Sequence, residues 1–246
     1  MKGGIILFFE PKEFNLENTS IWSFKERGTW ATHKGDYRGN CSPQVVRNLI
    51  LKYTKENDLV LAPFCGSGTT LIESKLLKRY SIGIDINSKP LNIAYSRLKF
   101  NYNNKYNPKL LKASATDMKA IKDNTIDFIF AHPPYADIIK YSKDIEQDIS
   151  LLNLNEFLNQ IEIFSNECYR VLKKGKICSI LIGDIRKKGN VIPLGFNIMD
   201  IFIKSGFILK EIIIKEQHNC KGTEYWKSKN NNFYLLAHEY IFVFKK

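Results

Sequence analysis

From Asp58 to the C-terminus, short apolar runs alternate with longer amphipathic segments, and this alternation constrains the fold more than any other feature of the sequence. The runs have the length of buried strands, and the segments between them have the length of helices. Strands that alternate with helices predict an α/β fold with a doubly wound, mostly parallel sheet. The seven predicted strands are Leu59–Ala62, Ser81–Ile86, Leu110–Ala113, Ile126–Ala131, Ile177–Ile182, Phe207–Lys215 and Tyr240–Phe244.

The connections between these strands predict the remaining architecture. Helices are expected from the turn after the first strand to about Lys78, and over Lys89–Phe100, Glu156–Leu172 and Leu194–Lys204. No helix separates the last two strands, so the seventh is expected to run antiparallel beside the sixth. We expect a single domain over 1–246 with its core in 58–246. The N-terminal segment 1–57 has one clear helix, about Pro43–Thr54, and could cap the sheet or join a ligand site.

Composition limits the classes of function. A chain of 246 residues with 44% hydrophobic residues can bury a sizeable core, and its apolar runs are far shorter than a membrane span. The N-terminus lacks the pattern of a secretory signal. Five cysteines without CxxC spacing indicate free thiols in a reducing cytoplasm, where we expect the protein to be located. The formal charge of +12 favours a polyanionic partner, with nucleic acid first.

A glycine-rich turn follows the first strand, and an acidic residue follows the second. Glycines at such a turn let the backbone approach a ligand, and Asp85, 19 residues after Gly66, could accept both ribose hydroxyls of a nucleoside. Taken singly, the turn could be a plain strand-to-helix connection and Asp85 a helix cap. Together they favour a nucleoside-containing cofactor. Asp117 could accept a hydrogen bond from the exocyclic amine of its adenine. The turn reads Pro63, Phe64, Cys65, Gly66, Ser67, Gly68, Thr69 and Thr70.

A second turn, His132-Pro133-Pro134-Tyr135, ends the fourth predicted strand. Two prolines stiffen it and remove two backbone donors. The carboxyl edge of a parallel sheet is where open α/β folds bind ligands. The turn would leave the carbonyls of His132 and Pro133 as acceptors and present Tyr135 as an aromatic face. The alternative is that Tyr135 only fills a surface groove.

These motifs resemble motifs I, II and IV of the S-adenosylmethionine-dependent DNA amino-methyltransferases, which methylate N6 of adenine or N4 of cytosine. Motif I matches 63–70, motif II matches 83–87 and motif IV matches 132–135. Ser42-Pro43 and the helix after it resemble motif X, which closes over the cofactor. The similarity extends over most of the chain and is closest to small prokaryotic DNA modification methylases. It implies a Rossmann-like class I methyltransferase fold with 58–246 as the catalytic core.

The resemblance also assigns roles to residues. S-adenosylmethionine would be bound by 63–70, by Asp85 with Ile86 for the ribose, and by Asp117 for the adenine. His132 and the Pro133 carbonyl would accept hydrogen bonds from the target amine. Tyr135 would stack on a base flipped out of the DNA duplex, next to Pro134. The implied mechanism is direct methyl transfer, with Cys65 as a small buried residue rather than a nucleophile. No metal site is expected.

Two positions differ from the family pattern. Ala62 stands where motif I usually has Asp, and His132 stands where motif IV usually begins with Asp, Asn or Ser. The first residue of motif IV accepts a hydrogen bond from the target amine, which neutral His can do through one ring nitrogen. Adenine and cytosine therefore both stay open as targets. Three other functions also remain open: an RNA guanine-N2 methyltransferase, a catalytically silent cofactor-binding module, and a protein-glutamine methyltransferase.

Basic residues form three groups that could contact nucleic acid. The first precedes the core, the second follows the fifth predicted strand, and the third lies between the last two strands. A companion restriction nuclease or specificity subunit is an expected partner. The three basic groups are, in this order, Lys25, Arg27, Lys34, Arg38 and Arg47; Arg186, Lys187 and Lys188; and Lys221, Trp226 and Lys227.

Overall fold

The computed structural model describes residues 8–136, 140–219, 227, 229 and 232–246. Two segments of secondary structure precede the predicted core: strand β1 and helix α1. Strands and helices then alternate through the core. In chain order the elements are β1 (Ile21–Trp22), α1 (Pro43–Tyr53), β2 (Leu59–Ala62), α2 (Thr69–Leu76), β3 (Tyr80–Asp85), α3 (Ser88–Arg97), β4 (Lys109–Lys112), β5 (Ile126–Ala131), α4 (Leu154–Val171), β6 (Leu172–Ile182), β7 (Ile185–Lys187), β8 (Asn190–Ile192), α5 (Leu194–Lys204), β9 (Ile208–Glu216) and β10 (His238–Lys245).

The main sheet has the order β1-β9-β10-β6-β5-β2-β3-β4. Strands β6, β5, β2, β3 and β4 are parallel, and β10 is antiparallel to both β6 and β9. The predicted α/β fold and the antiparallel last strand are confirmed. The last strand lies between β9 and β6, so the chain order and the spatial order differ at this edge.

The seven predicted strands are all present, and within the described residues the main sheet contains an eighth, β1. Strand β1 of the N-terminal segment joins the edge in parallel with β9, with Ile21 opposite Ile214. Two residues carry too little alternation to be recognised as a strand. Trp22 is only 2% exposed and belongs to the core cluster that includes residues of α1. A separate two-stranded hairpin, β7–β8, was also not predicted.

The strands place alternate side chains in two packed layers, as their twofold periodicity requires. Along β5, Ile129 belongs to the core cluster beneath α4 and α5, whereas Phe128 and Phe130 belong to the cluster that includes α1. Helix α4 begins at a capping box, in which Asn153 accepts from the Glu156 amide and Glu156 accepts from the Asn153 amide. Helices therefore cover both faces, and the free carboxyl edge of the parallel strands remains available for a site.

Candidate active site

An open pocket lies at the carboxyl edge of β2, β3 and β5, with about 920 Å³ of space, part of it open to solvent. Its walls come from the turns after these three strands, from the loop after β4, from the N-terminal segment and from residues further along the chain after β5. The lining residues are Tyr37, Gly39, Asn40, Cys41, Pro63, Phe64, Cys65, Gly66, Ser67, Thr69, Thr70, Asp85, Ile86, Asn87, Ser114, Ala115, Thr116, Phe130, His132, Pro134, Tyr141, Gln147, Asp148 and Ile149.

The glycine-rich turn forms one wall of this pocket. Gly66 and Gly68 have φ angles of +49° and +93°, a backbone conformation in which a side chain would be strained. Gly68 caps the N-terminus of α2. The Ser67 hydroxyl is buried without a protein partner in the described part of the chain, which leaves a polar group in the turn for a ligand.

Asp85 closes the turn from the end of β3. Its Oδ2 accepts the Gly66 amide at 3.1 Å, and its Oδ1 accepts the Asn87 amide at 2.9 Å. Burial raises the pKa of this carboxyl to about 6, although the two backbone amides act in the opposite direction. A carboxylate that the turn holds in place at the pocket wall is suited to accepting hydroxyl hydrogen bonds.

The structure does not bring Asp117 to the pocket. Its side chain is 52% exposed and pairs with Lys119 at 3.2 Å. The pocket is lined instead by the three residues before it, 114–116, and by Ile86. The loop after β4 therefore reaches the pocket, as expected from the sequence, but the side chain of Asp117 does not line it.

The N-terminal segment covers the pocket from the other side. The ring of Tyr37 lies over Gly66, where a Cβ would be 3.4 Å from its Cε1. Tyr37 also stacks with Tyr141, at 6.4 Å between ring centroids. Thr69 in motif I donates to the Asn40 side chain. The motif X expectation named Ser42, Pro43 and the helix after them, but the residues of this segment that line the pocket are Tyr37 and 39–41.

The four residues of the His-Pro-Pro-Tyr turn have different positions. His132 and Pro134 line the pocket, whereas Pro133 is buried and Tyr135 is outside the lining. The ring of Tyr135 packs over Gly183, where a Cβ would be 3.1 Å away. Tyr135 does not line the pocket in this structure, and its expected stacking on a base stays a prediction.

Tyr135 joins His132 to two charged residues that sequence reasoning missed. Its hydroxyl donates to Glu239 Oε1 at 2.7 Å and lies 3.2 Å from His132 Nε2. Glu239 Oε2 accepts from Lys215 at 2.8 Å. Glu239 and Lys215 are opposite each other on β10 and β9, so the predicted hairpin pairing was the signal that could have found them.

Burial also sets the protonation of the site. It lowers the pKa of the His132 imidazole, which Glu239 partly offsets, so the ring is neutral at pH 7. Burial raises the pKa of the Cys65 thiol well above its ordinary value. A protonated thiol at 6% exposure is a poor nucleophile, in agreement with the expected inert role of Cys65.

The expected basic surface is only partly formed. Arg38 and Lys188 are exposed, and Arg38 borders a groove beside the pocket with Lys89 and Lys140. Arg186 donates to the carbonyls of Gly189 and Tyr234, and thus holds the β7–β8 hairpin that also carries Lys187. Lys227 is exposed, while Lys221 and Trp226 lie outside the described residues.

Two of the basic residues expected at this surface are structural. Arg47 is 7% exposed and bound to Glu73, so its prediction as a nucleic-acid contact is wrong. Arg27 donates to the Asn40 and Cys41 carbonyls. Within the described residues no helix could span a membrane, and no group of His, Cys, Asp or Glu residues could hold a metal ion.

The sheet order, the single antiparallel strand β10 and the pocket after β2 and β3 define a class I methyltransferase fold. Solved structures of this class superimpose on the chain at low sequence identity. TrmN from Thermus thermophilus gives a TM-score of 0.56 at 18% identity, over 85% of this chain and 50% of that one. A SAM-dependent methyltransferase from Methanosarcina mazei gives 0.56 at 15% identity, over 80% and 96%.

The sequence model of the N6/N4 family, described as DNA methylase, matches residues 9–96 and 126–246 of this chain. The chain belongs to this N6/N4 DNA methylase family, as its motifs predicted. The Type II methyltransferase M2.LlaDCHI of Lactococcus lactis subsp. cremoris is 40% identical over 35% of this chain and 33% of its own length. M.MjaII of Methanocaldococcus jannaschii is 33% identical over 56% and 28%. The matched part of the chain thus spans about a third or less of these relatives.

Proposed function

We propose that the protein transfers a methyl group from S-adenosylmethionine to an exocyclic amine of a base in DNA, at N6 of adenine or N4 of cytosine. One observation carries the proposal: a single pocket is lined both by the glycine-rich turn with Asp85 and by His132 and Pro134. A nucleoside-binding wall and a hydrogen-bond acceptor for an amine therefore face the same space. Membership of the N6/N4 DNA methylase family supports the same reaction.

The residues present fit the cofactor. Asp85 would accept hydrogen bonds from the ribose hydroxyls. The Ser67 hydroxyl, which has no protein partner among the described residues, and the left-handed glycines of the turn would contact the methionine part of the cofactor. Tyr37 and the 114–116 loop would enclose the remainder. When bound, S-adenosylmethionine supplies an electrophilic methyl group on a sulfonium.

The acceptor side would act on the target amine. The lone pair of such an amine is delocalised into the base, so the amine is a weak nucleophile. An acceptor that bonds one amine hydrogen draws the nitrogen toward tetrahedral geometry and localises its lone pair. His132 can accept because its imidazole is neutral, and the rigid prolines keep it in place, so positioning would supply much of the rate.

The target base lies inside a duplex and would have to be flipped into the pocket. The groove of Arg38, Lys89 and Lys140 opens beside the pocket mouth and could bind the phosphates that flank this base. The hairpin β7–β8 follows the carboxyl end of β6, so Lys188 projects from the same edge of the sheet. A companion restriction nuclease or specificity subunit stays a prediction.

Cofactor binding should depend on pH through Asp85. The pKa of this carboxyl is about 6, so it is ionised above pH 6 and loses acceptor capacity as the pH falls through that value. We expect the Kd for S-adenosylmethionine to rise about tenfold between pH 7 and pH 5, by isothermal titration. An Asp85→Asn variant should bind weakly at both pH values. An equally steep pH dependence in that variant would assign the titration to another group.

Labelled methyl transfer tests the proposed reaction directly. Purified protein would be incubated with methyl-labelled S-adenosylmethionine and with unmethylated plasmid DNA, total RNA or a protein extract. Digestion and mass spectrometry would identify the product nucleoside. We expect N6-methyladenine or N4-methylcytosine in DNA alone. Label in RNA guanine, or cofactor binding without transfer to any acceptor, would instead support one of the alternatives to DNA methylation.

A further inference from the structure

Four polar side chains form a continuous series of hydrogen bonds from the pocket wall to β9. His132 Nε2 lies 3.2 Å from the Tyr135 hydroxyl, which donates to Glu239 Oε1 at 2.7 Å. Lys215 donates to Glu239 Oε2 at 2.8 Å. The proposed reaction uses only the first of these residues, and nothing in the methyl transfer itself explains the other three.

Lys215, at the far end of this series, determines the direction of every hydrogen bond in it. An ammonium can only donate and a carboxylate can only accept. Glu239 therefore accepts the hydrogen bond that the Tyr135 hydroxyl donates. The hydroxyl oxygen is left as an acceptor, and the atom beside it must be a donor. His132 is thus required to carry its proton on Nε2.

The opposite nitrogen of a neutral imidazole is then an acceptor. A neutral ring has one N–H and one lone pair, so a proton on Nε2 leaves the lone pair on Nδ1. His132 lines the pocket, whereas Tyr135, Glu239 and Lys215 do not. The ring edge that carries Nδ1 is therefore the polar edge that remains for a ligand in the pocket.

We propose that Tyr135 and Glu239, anchored by Lys215, are positioning residues that fix His132 in the Nε2–H tautomer, so that Nδ1 accepts the hydrogen bond of the target amine. This inference rests on the proposed function for the identity of the amine. Unlike a carboxylate or an amide oxygen, a given nitrogen of a neutral imidazole accepts in only one of the two tautomers. A histidine at this position thus gains from a second group that selects the tautomer.

The protonation of each group agrees with this direction. Burial raises the pKa of the Tyr135 phenol well above its ordinary value, and nearby Glu239 raises it further, so the hydroxyl keeps its proton. Burial alone would raise the pKa of Glu239, but Lys215, which donates a hydrogen bond to it, acts in the opposite direction, and the pKa is lowered. Burial lowers the pKa of His132, with Glu239 raising and Lys215 lowering it.

A second His–Tyr–carboxylate set on β10 provides a matched control. His238 Nε2 lies 3.0 Å from the Tyr240 hydroxyl, which is directed at Asp184 Oδ2 at 3.5 Å. Neither His238 nor Tyr240 lines the pocket. Tyr240→Phe therefore removes the same hydroxyl from the same kind of pair, without touching the proposed site.

Nitrogen-15 NMR of the free full-length protein tests the tautomer without any methyl transfer. The chain has four histidines, and His132→Gln assigns the signals of this one. We expect His132 with a protonated Nε2 and a bare Nδ1 in the wild type, and a mixture of tautomers in Tyr135→Phe. Tyr240→Phe should change only the His238 signals. A proton on Nδ1 in the wild type, or an unchanged tautomer in Tyr135→Phe, would overturn the inference.

Steady-state kinetics with varied S-adenosylmethionine and saturating DNA give a second readout. Tyr135→Phe should lower kcat about tenfold with an unchanged KM for S-adenosylmethionine, because it keeps the ring and removes only one hydrogen bond. Glu239→Gln should lower kcat as well and move the acidic limb of the pH profile to lower pH, since the carboxylate that raises the pKa of His132 is gone. Wild-type kcat in Tyr135→Phe would show that the Tyr135 hydroxyl does not position His132 for the reaction and would contradict the inference. Absence of methyl transfer by the wild type would refute the proposed function but leave the NMR result to decide the tautomer.

Discussion

A His132→Ala variant should bind S-adenosylmethionine as the wild type does and transfer methyl groups to DNA about 100- to 1000-fold more slowly. The reason is geometric: His132 is the pocket residue whose side chain can accept from an amine at the end of β5, whereas the cofactor wall lies in the turns after β2 and β3. Loss of one positioned hydrogen-bonding group in an active site costs about two to three orders of magnitude in kcat. Single-turnover kinetics with saturating DNA would measure the loss.

The matched control for this variant is His238→Ala. His238 also hydrogen-bonds a tyrosine hydroxyl but lies outside the pocket, so its loss should leave kcat within about twofold. Thermal unfolding would show that both variants are folded. A His132→Ala enzyme with wild-type kcat would remove this histidine from the reaction and leave backbone acceptors as the basis of catalysis.

A Glu73→Ala variant should lose about 3–5 kcal/mol of the free energy of unfolding. Glu73 lies on α2 with 0% exposure and accepts from Trp30 Nε1 at 2.7 Å, from His33 Nε2 at 2.7 Å and from Arg47 Nη1 at 3.0 Å. Its removal leaves these three donors without their shared acceptor, and the Arg47 guanidinium, which is 7% exposed, retains Glu10 as a carboxylate partner. Breaking a buried pair from one side has a cost of this size. Urea titration followed by circular dichroism would measure it.

The exposed pair Glu56–Lys78 is the control for this stability prediction. These side chains are 56% and 49% exposed and lie 3.2 Å apart, so Glu56→Ala should change the free energy of unfolding by less than about 1 kcal/mol. An equally small effect of Glu73→Ala would mean that the buried cluster does not hold the N-terminal segment on α2. The cofactor loop 37–41 would then need another anchor.

The periodicity of apolar residues was sufficient to predict the core of the fold. Runs such as Leu59–Ala62 and Ile126–Ala131 are almost completely buried, and their short length and the turns that follow them distinguish them from helices. Strand β1 could not be predicted, because its two residues form a strand only by pairing with β9 about 190 positions later. The hairpin β7–β8 is equally short, and its tip is formed by Lys188 and Gly189 in left-handed conformations.

The site shows the same division between local and distant information. The glycine turn, Asp85 and His132 were predictable because each follows directly from a strand end. The placements of Asp117, Tyr135 and Arg47 were not, since each is decided by a partner far away in sequence or by the direction of one side chain. Arg47 looked like a nucleic-acid contact until its buried partner Glu73 was known, and the hydrogen bond of Tyr135 to Glu239, 104 positions later, could not be recognised from the sequence.

Methylation of a genome is the most direct test of the central claim. The protein would be expressed in a host that lacks its own DNA methylation, and the genome would be sequenced by a method that detects modified bases. His132→Ala and His238→Ala would be expressed in parallel at equal protein levels. We predict N6-methyladenine or N4-methylcytosine at one recurring sequence, retained with His238→Ala and nearly abolished with His132→Ala. An unmodified genome in cells that contain the folded wild-type protein with S-adenosylmethionine bound would contradict the proposal that it is a DNA amino-methyltransferase.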